Sequence, residues 1–211
     1  MTTGWKCVVV HDPDQYTEDG MELPYGDEPG AWWTVPEVGN TARYAAVYWA
    51  EGLLPIDADP EAKLVEVEGQ EEMDLPRELG RKCFRRQRIL RVVPWGDAPA
   101  GMAAAVLIRR WRMLTPEERE SLMLRLESRD AYWVLNWSVR ANYKLAPNDY
   151  SVLASHLNSE DAAHLAAGEV ASDLRDLLIR RIRNGKDARL VLDQQIASLT
   201  GHQILRLAAL L

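Results

Sequence analysis

The residues able to do chemistry are few and dispersed. His11, Asp12 and Asp14 follow a β-branched run, where a strand gives way to a loop. A histidine titrates near neutrality, so beside two carboxylates it suits a general base or a metal ligand. His-Asp-Pro-Asp is equally a turn whose carboxylates bond their own backbone. No second His or Cys stands nearby at metal-ligand spacing. His156, His164 and His202 form no i, i+4 pair of the helical zinc type. Cys7 lies in an apolar run and reads as core filling. Cys83 is flanked by Lys82, Arg85 and Arg86, cations that favour a reactive thiolate, although a buried structural cysteine is the simpler reading. The phosphate-cradling Gly-x-Gly-x-x-Gly and Gly-x-x-x-x-Gly-Lys-Ser/Thr motifs are missing, as is the Gly-x-Ser-x-Gly nucleophile turn. No catalytic set converges, so the expectation is a non-enzymatic protein without metal or cofactor.

Two segments suit contact with a partner instead. Arg81, Lys82, Arg85, Arg86 and Arg88, continued by Arg91 and interrupted by Phe84, form the densest basic run. Such a run neutralises phosphates and an aromatic stacks on bases, the pattern of a nucleic-acid contact. It can equally pair with acidic neighbours, most directly Glu66 and Glu68 on an adjacent strand. The second segment closes the chain. Ile204, Leu205, Leu207, Ala208 and Leu211 make an apolar helix that must dock on its own bundle or on another subunit. Eight tryptophans stand against one phenylalanine. Trp133 and Trp137 share a helical face and, with Trp111, most simply anchor the core, while part of such a stripe could instead be an exposed anchor for a partner. Arg175, Arg180, Arg181, Arg183 and Lys186 suit a helix C-terminus, where the macrodipole is negative.

The elements that must position these residues fall into two styles. Trp5–Val10 reads as a strand ended by Pro13, Trp32–Val35 as a short strand, and Leu64–Gly69 as a half-buried strand alternating apolar and acidic residues. Arg88–Val93 reads as a further strand, stopped by Pro94. Thr41–Leu53, with Tyr44, Val47 and Tyr48 at helical spacing, predicts a short helix closed by Gly52. From Pro99 onward helices dominate. Thr115-Pro116-Glu117-Glu118 is a capping box with proline at the first helical position. Further helices open at Pro147, Asn158 and Asp187, and another capping box spans Thr200–Gln203. The helix from Asn158 is expected to run to Ile182, with Asn184-Gly185 as its C-terminal cap. The expected class is α+β: a small, mostly antiparallel sheet carrying one helix, then a bundle of short helices. The modules are assigned to residues 1–97 and 98–211.

Charge supports such a division. Residues 1–76 hold 17 acidic side chains against three basic, while the whole 211-residue chain carries a net charge of −7. An acidic front and a basic back either attract each other or steer opposite-charged partners. The longest strictly apolar run, Met102–Ile108, is far below the ~20 residues of a membrane span. Two cysteines make no disulfide framework, and the first residues carry no signal-peptide pattern. A cytoplasmic protein is therefore expected.

Gly4-Trp5-Lys6, the segment Asn40–Ala46, Lys63–Gly69 and the run Arg81–Trp95 occur in an order similar to that of small domains of unknown function in actinobacterial phages and prophages. The resemblance spans residues 4–95 and implies a binding or accessory role, with no catalytic set attached. The leading expectation is thus an interaction protein that binds another protein or self-assembles through its helical half. The alternatives are a nucleic-acid binder using residues 81–91 and an enzyme centred on His11, Asp12 and Asp14.

Overall fold

The computed structural model describes residues 2–9, 29–34, 46–48, 54, 56, 58–73 and 81–211. The fold is α+β with a helical C-terminal half, and the chain divides into two compact units, Met1–Arg119 and Glu120–Leu211. The first helix and the start of the second therefore group with the sheet.

In the first unit the strands are β1 (Thr2–Val9), β2 (Trp33–Thr34), β3 (Ala46–Tyr48), β4 (Ala62–Glu72) and β5 (Arg81–Val93). All their pairings are antiparallel. β4 lies between β1 and β5, and β3 pairs with both β1 and β5, so these four strands close into a circuit. Val8, Val65, Val67, Phe84 and Ile89 form its apolar core. Glu66 faces Arg91 and Val67 faces Ile89, which leaves Leu90 as the extra residue of a bulge. Thr41–Leu53 was expected to be helical, and its described part, Ala46–Tyr48, is instead a strand paired to Cys83, Lys82 and Arg81. Valine and tyrosine suit a pleated surface, and the ladder to β5 outweighs a local spacing of three and four. The remainder of that segment lies outside the described residues, as do His11, Asp12 and Asp14. The first unit also holds α1 (Ala100–Arg110), tied to the segment before β4 by Arg110, whose Nη1 donates to the Asp59 carbonyl at 2.7 Å.

Gly69 is fixed by packing. A Cβ there would lie 2.4 Å from the Phe84 ring, so the ring rests directly on the strand backbone. Lys6 is the unusual core member: its Nζ is buried and donates to Gln87 Oε1 at 3.0 Å, while Gln87 Nε2 donates to the Phe84 carbonyl. Desolvation pushes the Lys6 ammonium down to about 7 from 10.5, partly countered by Cys83.

In the second unit the helices repeat a pattern. α2 (Pro116–Met123) carries the boundary between the units. It is followed by α3 (Ser128–Arg140), α4 (Pro147–His156), α5 (Ser159–Ala166), α6 (Ser172–Ile179), α7 (Gly185–Gln195) and α8 (Gly201–Ala208). α3 packs on α4, α5 on α6 and α7 on α8, making three hairpins. α5 lies between α3 and α7, and α6 between α4 and α8, so the hairpins stack in two layers. The helix expected from Asn158 to Ile182 is broken between Ala166 and Ser172. Asn184 is the N-cap of α7, its side chain accepting the Asp187 N–H, and not the end of the preceding helix as expected.

Counted from each cap, equivalent positions match. Ser128-Arg129-Asp130-Ala131, Ser159-Glu160-Asp161-Ala162 and Gly185-Lys186-Asp187-Ala188 open α3, α5 and α7, and the three alanines are fully buried. In the other layer Leu153, Leu178 and Leu207 occupy the same position and are likewise fully buried. Serine side chains join one hairpin to the next. Ser128 Oγ donates to Asp161 Oδ2 at 2.6 Å and accepts the Asn158 N–H at 2.8 Å. Ser159 Oγ donates to Asp187 Oδ2 at 2.5 Å and accepts the Arg183 N–H at 2.9 Å. Each aspartate also stands in the first turn of its helix, where a negative charge is favoured.

The lowered Lys6 value sets a pH dependence for the sheet unit. Between about pH 7 and 10.5 the unfolded chain binds a proton that the folded one has lost, so stability rises as pH increases through that window. Denaturant midpoints of the first unit are expected to climb from pH 7 to pH 10. Lys6→Met flattens that climb; an unaltered slope in the variant contradicts the burial argument. Gly69→Ala forces its Cβ into the Phe84 ring and lowers the unfolding free energy by about 1–3 kcal/mol, read in the same melts.

Candidate interaction surface on the helical array

The helical unit presents its aromatic residues outward at one place. On α3, Trp133 is 47 % exposed although the shared face of Trp133 and Trp137 suggested core for both. Trp133 meets the Tyr132 ring edge to face, with centroids 5.6 Å apart. The Arg129 guanidinium lies 5.0 Å from the Tyr132 ring and 5.2 Å from that of Trp133. Its Nη1 is also 3.4 Å from Asp161 Oδ1 on α5. One arginine thus binds two ring faces and the carboxylate that latches the hairpins. Trp137 lies on the covered side, half-buried and stacked on Tyr143 at 5.4 Å. Asn142, at φ 49°, turns the chain there, and the Tyr143 N–H closes on the Ser138 carbonyl at 2.8 Å. That turn ends α3 and aims α4 back along it.

Beside the cluster a cleft of about 450 Å³ opens at the starts of α3 and α5. It is lined by Glu127, Ser128, Arg129, Asn158, Glu160, Asp161 and His164. Every lining side chain is polar or charged, which suits side chains of a partner better than an apolar small molecule. Asp130, at the start of α3, is pushed above the ordinary carboxylate range by partial desolvation and then by the Glu127 charge. His164 Nε2 and Glu160 Oε1, one helical turn apart, are separated by 3.9 Å.

The other layer is held by arginines bonded to helix ends. Arg175 on α6 is buried and donates to the Gly168 carbonyl at 3.1 Å, to Gln195 Oε1 at 3.3 Å and to Ser198 Oγ at 3.0 Å. Gly168 follows α5 and Gln195 ends α7, so two negative macrodipole ends surround the cation. Arg181 Nε and Nη2 donate to the Leu157 carbonyl just after α4. Both agree with the reading that these cations serve helix C-termini, although each serves a helix other than its own.

The basic run on β5 has its partners within the sheet. Arg91 meets Glu66 and Arg88 meets Glu68, each at 2.6 Å, while Lys82 meets Glu72 at 3.2 Å and Arg86 meets Glu71 at 3.9 Å. Arg86 and Arg88 also lie 5.3 and 4.9 Å from the Trp32 ring. Arg81 opens β5 and Arg85 is half-buried. Glu66 and Glu68 are the strand neighbours the sequence pointed to. Cys83 is buried and Cys7 only half-buried.

At the end of the array the apolar residues separate. Leu207 is fully buried in its own unit and so is core rather than the contact residue expected, and Ile204 is half-buried. Leu205, Ala208 and Leu211 are exposed. Sequence reasoning favoured core for Trp133 over the exposed anchor that it also weighed for part of this stripe, and it singled out neither Arg129 nor Tyr132. The signal was available: Ala131, Val134, Leu135 and Ser138 alone complete the buried face of α3. Among the described residues no group of three or more His, Cys, Asp or Glu is arranged to hold a metal ion. Among them, too, no helix is long and apolar enough to cross a membrane. No protein family, curated protein or solved structure was found to match the chain.

These environments separate exposed from structural side chains. Trp133→Ala is expected to leave the stability of the helical unit within about 0.5 kcal/mol of the parent. Arg175→Ala removes the three hydrogen bonds that a buried cation makes to the Gly168 carbonyl, Gln195 Oε1 and Ser198 Oγ and costs at least about 2 kcal/mol. Urea melts followed by circular dichroism check both, and a Trp133→Ala loss as large as that of Arg175→Ala contradicts the assignment.

Proposed function

We propose that this chain is a non-enzymatic interaction protein whose helical array holds a docking surface for another protein. The observation that carries the reading is the exposed Arg129–Tyr132–Trp133 cluster on α3 beside a polar cleft. Tryptophan, tyrosine and arginine dominate binding energy at protein interfaces. They supply it best on a support that does not rearrange, since less ordering entropy is then lost on contact. Stacked helical hairpins give such a support, because each hairpin is pinned to its neighbours and presents a continuous side surface. Pairing of β5 cations with β4 carboxylates directs attention away from the basic run and toward the array. The likeness of residues 4–95 to small phage-encoded domains accords with an accessory role of this kind.

Affinity capture from the source cells, with the intact chain and its Trp133→Ala and Arg129→Ala variants as baits, tests the reading. A partner protein retained by the parent is expected to fall at least about tenfold with either variant, the loss of one hot-spot side chain. Identical protein sets on all three baits contradict it.

A further inference from the structure

We infer that the segment docking on the α3 surface is basic: a lysine or arginine side chain of the partner protein enters the cleft between the starts of α3 and α5, while an adjoining apolar residue covers Trp133. This rests on the docking reading above and names the chemistry of what docks there.

The cleft and the aromatic cluster form one surface. The Ser128–Asp161 bond joins the starts of α3 and α5, so the two helices run side by side in the same direction. Counted from their caps, Trp133 on α3 and His164 on α5 occupy equivalent positions, and both are exposed. His164 and Arg129 line the cleft, and the Arg129 guanidinium lies 5.2 Å from the Trp133 ring. A segment laid across α3 onto α5 therefore meets both the indole and the cleft.

Charge selects the occupant. The cleft is lined by three carboxylates, Glu127, Glu160 and Asp161, against one guanidinium. Asp161 is already matched, since it accepts the Ser128 hydroxyl at 2.6 Å and faces Arg129 Nη1 at 3.4 Å. Among the described residues Glu127 has no ion pair, and Glu160 meets only His164, at 3.9 Å. Asp130 adds a carboxyl at the same end of α3, where the Glu127 charge works against its ionisation. An excess of one sign in a partly enclosed site attracts the other. An anion finds less to hold it. Arg129 is committed to Asp161 and two rings, and Asn158 Oδ1 already accepts the Asp161 N–H at the start of α5. A long cationic side chain also suits the surface in form, because its apolar stem lies along aromatic rings while its head reaches the carboxylates. A free polyamine leaves the indole uncovered, whereas a peptide segment fills both parts.

A random-peptide display library panned on the full chain supplies the probe. Sequences held by the parent but not by Trp133→Ala are expected to place lysine or arginine beside an aliphatic or aromatic residue. One such peptide, fluorescently labelled, is then titrated by anisotropy. Glu127→Gln combined with Glu160→Gln is expected to weaken it about tenfold, the loss of an interface charge contact, and added salt weakens the parent complex in the same sense. Glu117→Gln combined with Glu120→Gln removes the same charge from α2 and leaves the affinity unchanged. All four glutamates are exposed, so the variants keep their fold, which circular dichroism confirms. Retained sequences with no excess of basic residues, a parent-like affinity in the Glu127 and Glu160 variant, or equal weakening by both pairs overturns the inference and leaves Trp133 as a docking site. If no sequence distinguishes the parent from Trp133→Ala, the docking reading falls and this inference with it.

Discussion

A buried aspartate at the third position of a helix, accepting the serine hydroxyl of the preceding hairpin, is the interaction on which the helical half depends. Short helices are marginal alone, since nucleation costs more than one or two turns return. α5 and α6 have eight residues each and persist because neighbours hold them. Alanine at the next position lets the helices approach closely, and the Ser128–Asp161 and Ser159–Asp187 bonds fix how far each hairpin slides against the last. A hydrogen bond to a charged acceptor contributes about 1.5–3 kcal/mol, and leaving that carboxylate buried without it costs more. Register, hence the placement of every outward residue, follows from these bonds.

The sheet unit solves a different problem with charge. β4 carries the acidic alternation and β5 the basic run, and the two strands are neighbours, so their side chains form cross-strand pairs. Most of these pairs are exposed and contribute little each. Arg88–Glu68 differs, because the Glu68 side chain is only 6 % exposed and depends on its partner. The change of net charge after residue 76 falls between β4 and β5, two paired strands that both lie within the module assigned to residues 1–97.

Much of the fold was legible in the sequence. Period-two alternation gave β4, and the Thr115 and Thr200 capping boxes are both present. Ala46–Tyr48 was misread because three residues at helical spacing cannot report a ladder to a strand far along the chain. The hairpin array went unseen for another reason. Its equivalent tetrapeptides are short and unevenly spaced, and Gly185 replaces serine in the third. The exposed side of α3 was hidden by its tryptophans, since aromatic residues at helical spacing look like core until packing shows which stripe is covered.

A double-mutant cycle across Ser159 and Asp187 tests the central claim most directly. Ser159→Ala, Asp187→Ala and the double variant are compared by urea unfolding of the helical unit. A coupling energy of about 1–3 kcal/mol between the two sites is predicted. Strictly additive losses, with coupling near zero, would contradict a latch between hairpins.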